Sequence, residues 1–228
     1  MKIIIATIKS WNIKNAQKFN KDNDHKHDVF IITDKNDLTY EKVSKINPEY
    51  IFLPHWSWNV PKEIYETFNC IVFHMTDLPF GRGGSPLQNL IERGIENTKI
   101  SAIKVDDGID TGDIYFKESL NLNGTADEIF IRASQIIFNK MIPKIINEKI
   151  LPKKQRGEII RFKRRVPSQS EVLSNFDLGK IYDYIRMLDG EEYPRAFIKF
   201  GKYKLEFSRA SLKNNKIIAD VEIMDEDD

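Results

Sequence analysis

The chain has 228 residues and a formal charge of +1, from 35 Lys and Arg against 34 Asp and Glu. A length of this order predicts one domain of ordinary size, or one with a small appendage. Hydrophobic residues make up 41%, enough to bury a core, which excludes a disordered chain. The near-zero charge argues against a protein that binds nucleic acid mainly through phosphate contacts, although it leaves a local basic patch open.

Cysteine content and hydropathy bear on the compartment. Cys70 is the only cysteine, so the chain forms no internal disulfide and no cysteine-based zinc site, and a reducing compartment is expected. The amino terminus is typical of a buried strand rather than a signal peptide, and no apolar run approaches the roughly 18 residues that span a bilayer. These observations predict a cytoplasmic protein with no membrane partner, and no metal site is predicted.

Short apolar runs alternate with helical patterns through the first part of the chain, which is typical of βα units in a parallel sheet. The predicted strands are Lys2–Thr7, Val29–Thr33, Tyr50–Leu53, Cys70–Phe73, Ile100–Val105 and Asp113–Glu118, the last two forming a hairpin or an edge pair. The predicted helices are Asn12–Phe19, Tyr40–Ile46, Pro61–Phe68, one capped by Ser85 and stopped at Gly94, and a long one opened by the capping box Thr125–Glu128 and carrying apolar residues to Met141.

A basic segment follows Pro152 and contains Lys153, Lys154, Arg156, Arg161, Lys163, Arg164 and Arg165. It binds an anion, or it is a linker that is solvated or makes intramolecular contacts. Beyond it the pattern predicts a helix at Leu178–Leu188, strands at Ala196–Phe200, Lys204–Ser208 and Ile217–Ile223, and a frayed acidic tail at 225–228. The predicted architecture is therefore a Rossmann-like α/β domain over residues 1–150, with a mostly parallel sheet flanked by helices. A basic linker over 151–165 and a small α+β extension over 166–228 follow.

The glycine positions exclude two common nucleotide sites. No glycine precedes Gly81, so the first strand is not followed by the G-x-G-x-x-G turn that binds a dinucleotide pyrophosphate. A Walker A loop is also absent. A ligand must be held in another way.

The first candidate site lies in FHMTDLPFGRGGSPLQ, residues 73–88. His74 is placed at the end of a strand, where open α/β folds bind ligands. Arg82 offers a planar fork to a phosphate or carboxylate, and Gly83 and Gly84 allow close backbone approach. Ser85 opens a helix whose amino end attracts anions. The alternative interpretation is a tight loop with a surface histidine.

The second candidate is the acidic loop DDGIDTGD, residues 106–113. Carboxylates at this density are costly to hold together unless some bind a cation, a positive side chain or a ligand. The residue order does not support an EF-hand, and an exposed structural loop is the alternative. A histidine in one loop and an aspartate in another can form an acid/base pair.

At their spacing, these two motifs resemble the folate-dependent formyltransferases over about residues 1–150. That resemblance implies transfer of a formyl group from 10-formyltetrahydrofolate to an amine, with His74 and Asp110 as catalytic residues. The family asparagine falls on Val72, which departs from the pattern and removes an oxyanion donor. Substitution by a nearby polar side chain, a different register, or binding without catalysis would explain it; the nearby candidates are Asn69, Thr76 and Gln88.

The resemblance also implies a folate slot and an acceptor. The slot residues would be Pro54, Trp56, Ser57, Trp58, Val105 and Asp107. The tryptophans would wall a flat ring, or they pack as a lid over the sheet. The short carboxyl-terminal region resembles that of the sugar-nucleotide N-formyltransferases. It implies a nucleotide-linked amino sugar as acceptor, with Arg82, Gly83, Gly84, Ser85 and Arg186 as its ligands. For Arg186, a surface salt bridge is the alternative.

Several expectations about partners follow from this assignment. No nucleic-acid partner is expected, and surface-polysaccharide precursor synthesis is the implied role. The carboxyl-terminal strands are candidates for a homodimer contact, because exposed strand edges pair readily. The alternatives are a methionyl-tRNA-type formyltransferase and a non-catalytic protein that binds folate or a nucleotide sugar.

Overall fold

The computed structural model describes residues 1–225, which form two compact units. The first unit comprises Met1–Gly83, Thr98–Leu120 and Ile131–Arg161; the second comprises Gly84–Asn97, Asn121–Phe130 and the chain from Phe162 onward. Two segments that the sequence assigns to the first domain, 84–97 and 121–130, thus pack with the carboxyl-terminal region. Segments of the two units alternate along the chain, so each unit is built from separate stretches of sequence.

The strands are β1 Lys2–Ala6, β2 Asp28–Ile32, β3 Tyr50–Leu53, β4 Cys70–His74, β5 Phe80–Gly83, β6 Asn97–Lys104, β7 Ile114–Asn121, β8 Ile160–Phe162, β9 Ala196–Phe200, β10 Tyr203–Lys213 and β11 Lys216–Asp225. The helices are α1 Ser10–Asn23, α2 Tyr40–Ile46, α3 Lys62–Thr67, α4 Pro86–Glu92, α5 Ala126–Ile136, α6 Ile142–Glu148 and α7 Leu178–Leu188. Most predicted elements are present within a few residues of their predicted bounds. None of the helices in residues 1–225 combines the length and the apolar character that a membrane crossing requires.

A six-stranded sheet organises the first unit, in the order β2-β1-β3-β4-β6-β7. The pairs β1–β2, β1–β3 and β3–β4 are parallel, whereas β6 runs antiparallel to β4. The predicted Rossmann-like class, with a mostly parallel sheet, flanking helices and a carboxyl-terminal α+β extension, is confirmed. The antiparallel β6 places the start of the acidic loop beside the amino end of β4, where the Val105 N–H donates to the Cys70 carbonyl at 2.9 Å.

The central strands are apolar on both faces because helices cover both sides of the sheet. On one face, Ile4, Leu53 and Cys70 belong to a buried cluster against which Val72 packs. Successive side chains of a strand alternate between faces, so Val72 and His74 share this face. Phe73 points to the other face, where its ring lies 6.2 Å from that of Phe52.

One local signal in the sequence is confirmed in detail, and one helix differs. Thr125 and Glu128 form the predicted capping box, with each backbone N–H donating to the other side chain. The long helix is interrupted by a π turn at Ile137–Met141 before α6. Pro143 accounts for this interruption, because proline lacks an N–H and its ring clashes with the carbonyl four residues earlier.

Strands β5 and β8 are not predicted by the sequence, and they change the interpretation of two segments. β5 lies in the glycine-rich loop and β8 in the basic segment, and the two pair as a small sheet. Lys153 also exchanges two backbone hydrogen bonds with Ile114, at 2.8 and 2.9 Å. The backbone of the basic segment is therefore paired within the chain at Lys153 and along β8, which agrees with its intramolecular interpretation.

The second unit contains α4, α7 and the three-stranded antiparallel sheet β11-β10-β9. Asp177 caps α7 by accepting the Lys180 N–H at 2.7 Å. Gly201 and Asn215 adopt left-handed conformations in the turns between the strands. Asp225 ends β11, and the rest of the predicted acidic tail, 226–228, lies outside the described residues.

Candidate active site

His74 ends β4, and its imidazole is held by the returning glycine-rich loop. The residue is buried. Its Nε2 lies 2.7 Å from the Gly81 carbonyl oxygen, which can only accept, so Nε2 is the donor in this arrangement. The loop returns through a turn fixed by Ser101, whose hydroxyl donates to the Thr76 carbonyl at 2.7 Å. The ring therefore has one defined orientation.

A charged cluster anchors the same turn from outside. Asp77 pairs with Lys99 at 3.0 Å and with Lys117, and the Lys117 ammonium also donates to the Leu78 carbonyl at 2.5 Å. Burial raises the pKa of Asp77, but the hydrogen bonds and charges of the two lysines outweigh it, so the pKa lies below its usual value. Asp77 is thus ionised and holds the turn at neutral pH.

Asp110 reaches His74 from the acidic loop. Its Oδ1 lies 3.4 Å from His74 Nδ1, and its Oδ2 accepts the Gly83 N–H at 2.9 Å. The His74 and Asp110 side chains are 9% and 15% exposed. Asp110 has a φ of 54°, a left-handed conformation that is uncommon for a residue with a side chain. The structure therefore joins the two motifs into an imidazole–carboxylate pair, as the acid/base hypothesis expects.

Hydrogen bonds within the acidic loop support this backbone conformation. Asp106 Oδ1 accepts the Thr111 hydroxyl at 2.6 Å and the Gly108 N–H at 3.2 Å. At Gly112 a Cβ atom would lie 1.7 Å from the Lys104 carbonyl oxygen, so only glycine fits there. Asp106 and Gly112 thus constrain the two ends of the loop, and the residues between them bring Asp110 next to His74 on β4.

Gln155 joins the site although no sequence signal indicates it. It lies in the basic segment between exposed Lys154 and Arg156. Its amide forms hydrogen bonds with both Arg82 and the acidic loop. Arg82 itself is 8% exposed. Only the pairing of this segment with the rest of the unit could reveal the role of Gln155.

The segment predicted to bind folate follows β3. Pro54 accepts the Thr7 hydroxyl at 2.6 Å, while Ser57 is exposed. Trp56 packs against the apolar cluster and meets Trp58 edge to face, with ring centroids 4.9 Å apart. Trp58 is 38% exposed. This arrangement contains elements of both interpretations, because Trp56 packs over the sheet while Trp58 presents a ring to solvent.

Val105 and Asp107 represent the acidic loop in the predicted folate slot. Val105 packs against the same apolar cluster as Trp56, and Asp107 is exposed. Within residues 1–225 no group of three or more His, Cys, Asp or Glu side chains is arranged to hold a metal ion. The carboxylates of Asp106 and Asp110 accept from backbone and side-chain donors.

Val72 is on the His74 side of β4, the side on which the resemblance places the missing asparagine. Its neighbours in the sheet are Leu53 and Ile103, which make that wall apolar. Asn69 lies at the opposite end of the strand and donates to the Glu49 carbonyl at 3.1 Å. Thr76 donates to the Gly81 carbonyl at 3.4 Å, the oxygen that also accepts from His74.

The remaining predicted ligands belong to the second unit and have structural partners there. A Cβ at Gly84 would lie 2.6 Å from the Arg164 Cβ, and the Ser85 hydroxyl accepts the Arg165 N–H at 3.1 Å instead of capping α4. Gln88, the other residue considered as a replacement donor, bonds the Met187 carbonyl at 3.1 Å.

Arg186 is a buried structural residue rather than a surface one. It pairs with Asp183 at 2.7 Å and donates to the carbonyls of Leu122 and Gly124 at 2.6 and 3.1 Å. These intramolecular partners engage Nε and Nη1 of its guanidinium, and its assignment as a substrate ligand stays a prediction.

Comparison with known proteins decides the family. A structure of methionyl-tRNA formyltransferase from Clostridium thermocellum is 72% identical, with a TM-score of 0.97, over 99% of both chains. The chain belongs to the formyl transferase family. Residues 33–133 match the profile described as formyl transferase, and residues 167–224 match the methionyl-tRNA formyltransferase carboxyl-terminal domain. The formyl donor of this family is 10-formyltetrahydrofolate, as the motifs imply.

Two less similar proteins give a scale for this likeness. Methionyl-tRNA formyltransferase of Rickettsia typhi is 32% identical over 79% of this chain, which spans 61% of that protein. A sugar N-formyltransferase from Shewanella shares only 15% identity, with a TM-score of 0.71, over 92% of this chain and 97% of that one. That likeness shows a common fold alone.

The predicted acceptor of this formyltransferase is therefore wrong. The similar proteins are named for methionyl-tRNA, which contradicts both the nucleotide-linked amino sugar and the expected lack of a nucleic-acid partner. The carboxyl-terminal match overturns the likeness to the sugar enzymes on which that assignment rested. Net charge is an average over the whole chain, so a value near zero does not exclude a nucleic-acid partner.

Proposed function

We propose that this formyltransferase transfers the formyl group of 10-formyltetrahydrofolate to the amino group of methionyl-tRNA. The observation that carries the proposal is the 72% identity, over 99% of both chains, to the methionyl-tRNA formyltransferase of C. thermocellum. A tRNA acceptor agrees with the predicted cytoplasmic location. The methionyl-tRNA-type alternative thus replaces the sugar assignment.

The His74–Asp110 pair supplies the acid/base chemistry of this reaction. The donor provides the formyl carbon, and its N10 leaves with a proton while the methionyl nitrogen loses one and bonds to that carbon. With its proton on Nε2, His74 donates it to the developing oxyanion after breaking the bond to Gly81. To accept the proton of the attacking amine at Nε2, the imidazole carries its own proton on Nδ1, facing Asp110. Asp110 orients the imidazole and stabilises its protonated form across the 3.4 Å contact.

The segment after β3 is the proposed folate site. One feature there fits a ligand: the indole N–H of Trp56 is buried and has no hydrogen-bond partner among residues 1–225. Buried donors are usually bonded, so this unpaired one suggests a group that the chain does not itself supply. The exposed ring of Trp58 and the backbone of Val105 and Asp107 would complete the slot. Arg82 is the buried cation proposed to meet an anionic part of the acceptor.

A transfer assay tests the function. The purified chain is mixed with 10-formyltetrahydrofolate and either methionyl-tRNA or a panel of nucleotide-linked amino sugars, and products are identified by mass. We expect formylmethionyl-tRNA from the native chain and none from His74→Ala. Formylated sugar without formylated tRNA, or no product from any acceptor, would contradict the proposal.

A second candidate is a folate-binding protein without transferase activity. It is favoured by Val72, whose apolar surroundings supply no amide at the position of the family asparagine. The variant Val72→Asn separates the two. Folate binding without turnover in the native chain, and turnover in Val72→Asn, would establish the binding function. Turnover in the native chain would exclude it.

A further inference from the structure

Gln155 uses both ends of its amide to join the two loops that carry the site. Its Nε2 donates to the carbonyls of Asp110 and Gly112, at 2.9 and 2.8 Å. Its Oε1 accepts from Nε and Nη2 of Arg82, at 3.1 and 2.8 Å. The side chain is half-buried, whereas both of its neighbours in the chain are exposed. A single neutral side chain thus makes four hydrogen bonds inside the candidate site.

The donor end acts on the backbone that presents Asp110. The two carbonyls that it binds flank Thr111 and belong to a loop with a left-handed aspartate. A left-handed conformation at such a residue is maintained only when surrounding contacts impose it. Without the amide donor, two partly buried carbonyls would lose a partner and the loop could relax away from His74.

The acceptor end acts on Arg82 without neutralising it. Among residues 1–225, Arg82 has no carboxylate oxygen within 4.0 Å of its guanidinium. A buried positive charge is costly unless it is paired, so its partner is expected to come from a ligand. The Gln155 amide orients Nε and Nη2 and leaves the charge in place, with Nη1 not engaged by Gln155.

Glutamine is the side chain of this length that offers a donor and an acceptor together. Glutamate would keep the bonds to Arg82, but it would place a carboxylate oxygen against two carbonyl oxygens and neutralise the arginine. Methionine has a similar length, but it has no N–H donor and its sulfur is only a weak acceptor. The two functions of the amide can therefore be separated by substitution.

We infer that Gln155 is a positioning residue that holds Asp110 against His74 and orients Arg82 toward an anionic part of the acceptor. The inference rests on the proposed function for its kinetic consequence. Its structural consequence, the placement of Asp110, can be measured without turnover.

The kinetic test compares Gln155→Met and Gln155→Glu with the matched control Gln135→Met, an exposed position on α5. We expect kcat to fall about 10²-fold in Gln155→Met, with little change in KM for 10-formyltetrahydrofolate, because misplacement of about 1 Å costs roughly that much. Gln155→Glu should also raise KM for methionyl-tRNA, since it neutralises Arg82. In an Asp110→Asn background, Gln155→Met should cost much less than it does alone. Additive losses, or wild-type kcat in Gln155→Met, would overturn the inference.

Amide hydrogen exchange gives a readout that does not depend on activity. The Gly83 N–H reports the position of Asp110, to which it donates at 2.9 Å. The Val105 N–H, bonded to Cys70, serves as a reference at the start of the same loop. We expect Gln155→Met to speed exchange at Gly83 and leave Val105 unchanged. Equal acceleration at both amides, or none at Gly83, would refute the inference. If the native chain is inactive but Gln155→Met speeds amide exchange at Gly83 and not at Val105, the proposed function is refuted and this positioning role is supported.

Discussion

Two polar clusters of this protein differ in whether their charged side chains are paired with an opposite charge. In the second unit, Glu92 accepts from Arg165 at 2.6 Å and from the Tyr184 hydroxyl at 2.7 Å, so a carboxylate and a guanidinium neutralise each other. In the first unit, Arg82 is bonded to a neutral amide and its charge stays unpaired within the described residues. A matched pair stabilises a fold, whereas a buried unmatched charge costs stability and is typical of a binding site.

The largest expected effect comes from removing the acid/base pair. We expect His74→Ala and Asp110→Asn each to lower kcat about 10²–10⁴-fold, because proton transfer by a positioned side chain contributes that much. Asn at 110 still accepts the Gly83 N–H, so the loop should stay folded. Single-turnover formyl transfer measures the loss, and thermal unfolding checks the fold. An active Asp110→Asn enzyme would contradict a charged role for this residue.

The matched cluster should show the reverse pattern. We expect Glu92→Gln to lower the free energy of unfolding by about 2 kcal/mol, because hydrogen bonds to a charged group contribute on that order. Activity at a temperature where the variant is folded should be unchanged. Urea unfolding and the transfer assay are run on the same preparations. A large loss of kcat at unchanged stability would show that the comparison between the clusters is mistaken.

The same cluster predicts a pH dependence of stability. Burial raises the pKa of Glu92, but the bonds from Tyr184 and Arg165 outweigh it, so the folded-state pKa lies below the ordinary 4.5. A depressed carboxyl pKa stabilises the fold at pH values above 4.5, and this contribution is lost as the pH falls through the folded value. The free energy of unfolding, measured from neutral to acidic pH, should therefore decline less steeply in Glu92→Gln than in the native chain. Identical slopes would remove Glu92 as a contributor.

The smallest effect is expected at the helix cap. Thr125→Ala removes the hydroxyl that accepts the Glu128 N–H, and we expect it to lower the free energy of unfolding by about 1 kcal/mol. Catalysis should be unaffected. Thr39→Ala at the start of α2, which loses the bond to the Lys42 N–H, is the matched control for a single cap. A larger effect on kcat than on stability would contradict a purely local role.

Local and periodic features of the fold could be predicted from the sequence. The bounds of α2, α7, β3 and β9 agree with the patterns residue for residue. The His74 and Asp110 motifs could also be recognised, because family resemblance depends on residue identity at fixed spacing. The acceptor could not, since net charge averages over the chain and the short carboxyl-terminal motif does not distinguish relatives.

The sequence by itself determined the βα order, the Thr125–Glu128 capping box and the motif residues, because these depend on contacts within a few positions. Only the tertiary structure decided that β6 runs antiparallel to β4 and that β5 turns back over His74. It also brought Gln155 to Asp110, 45 residues away. Such contacts depend on how distant segments pair, and a lone glutamine in a basic segment has no local pattern that indicates its partner.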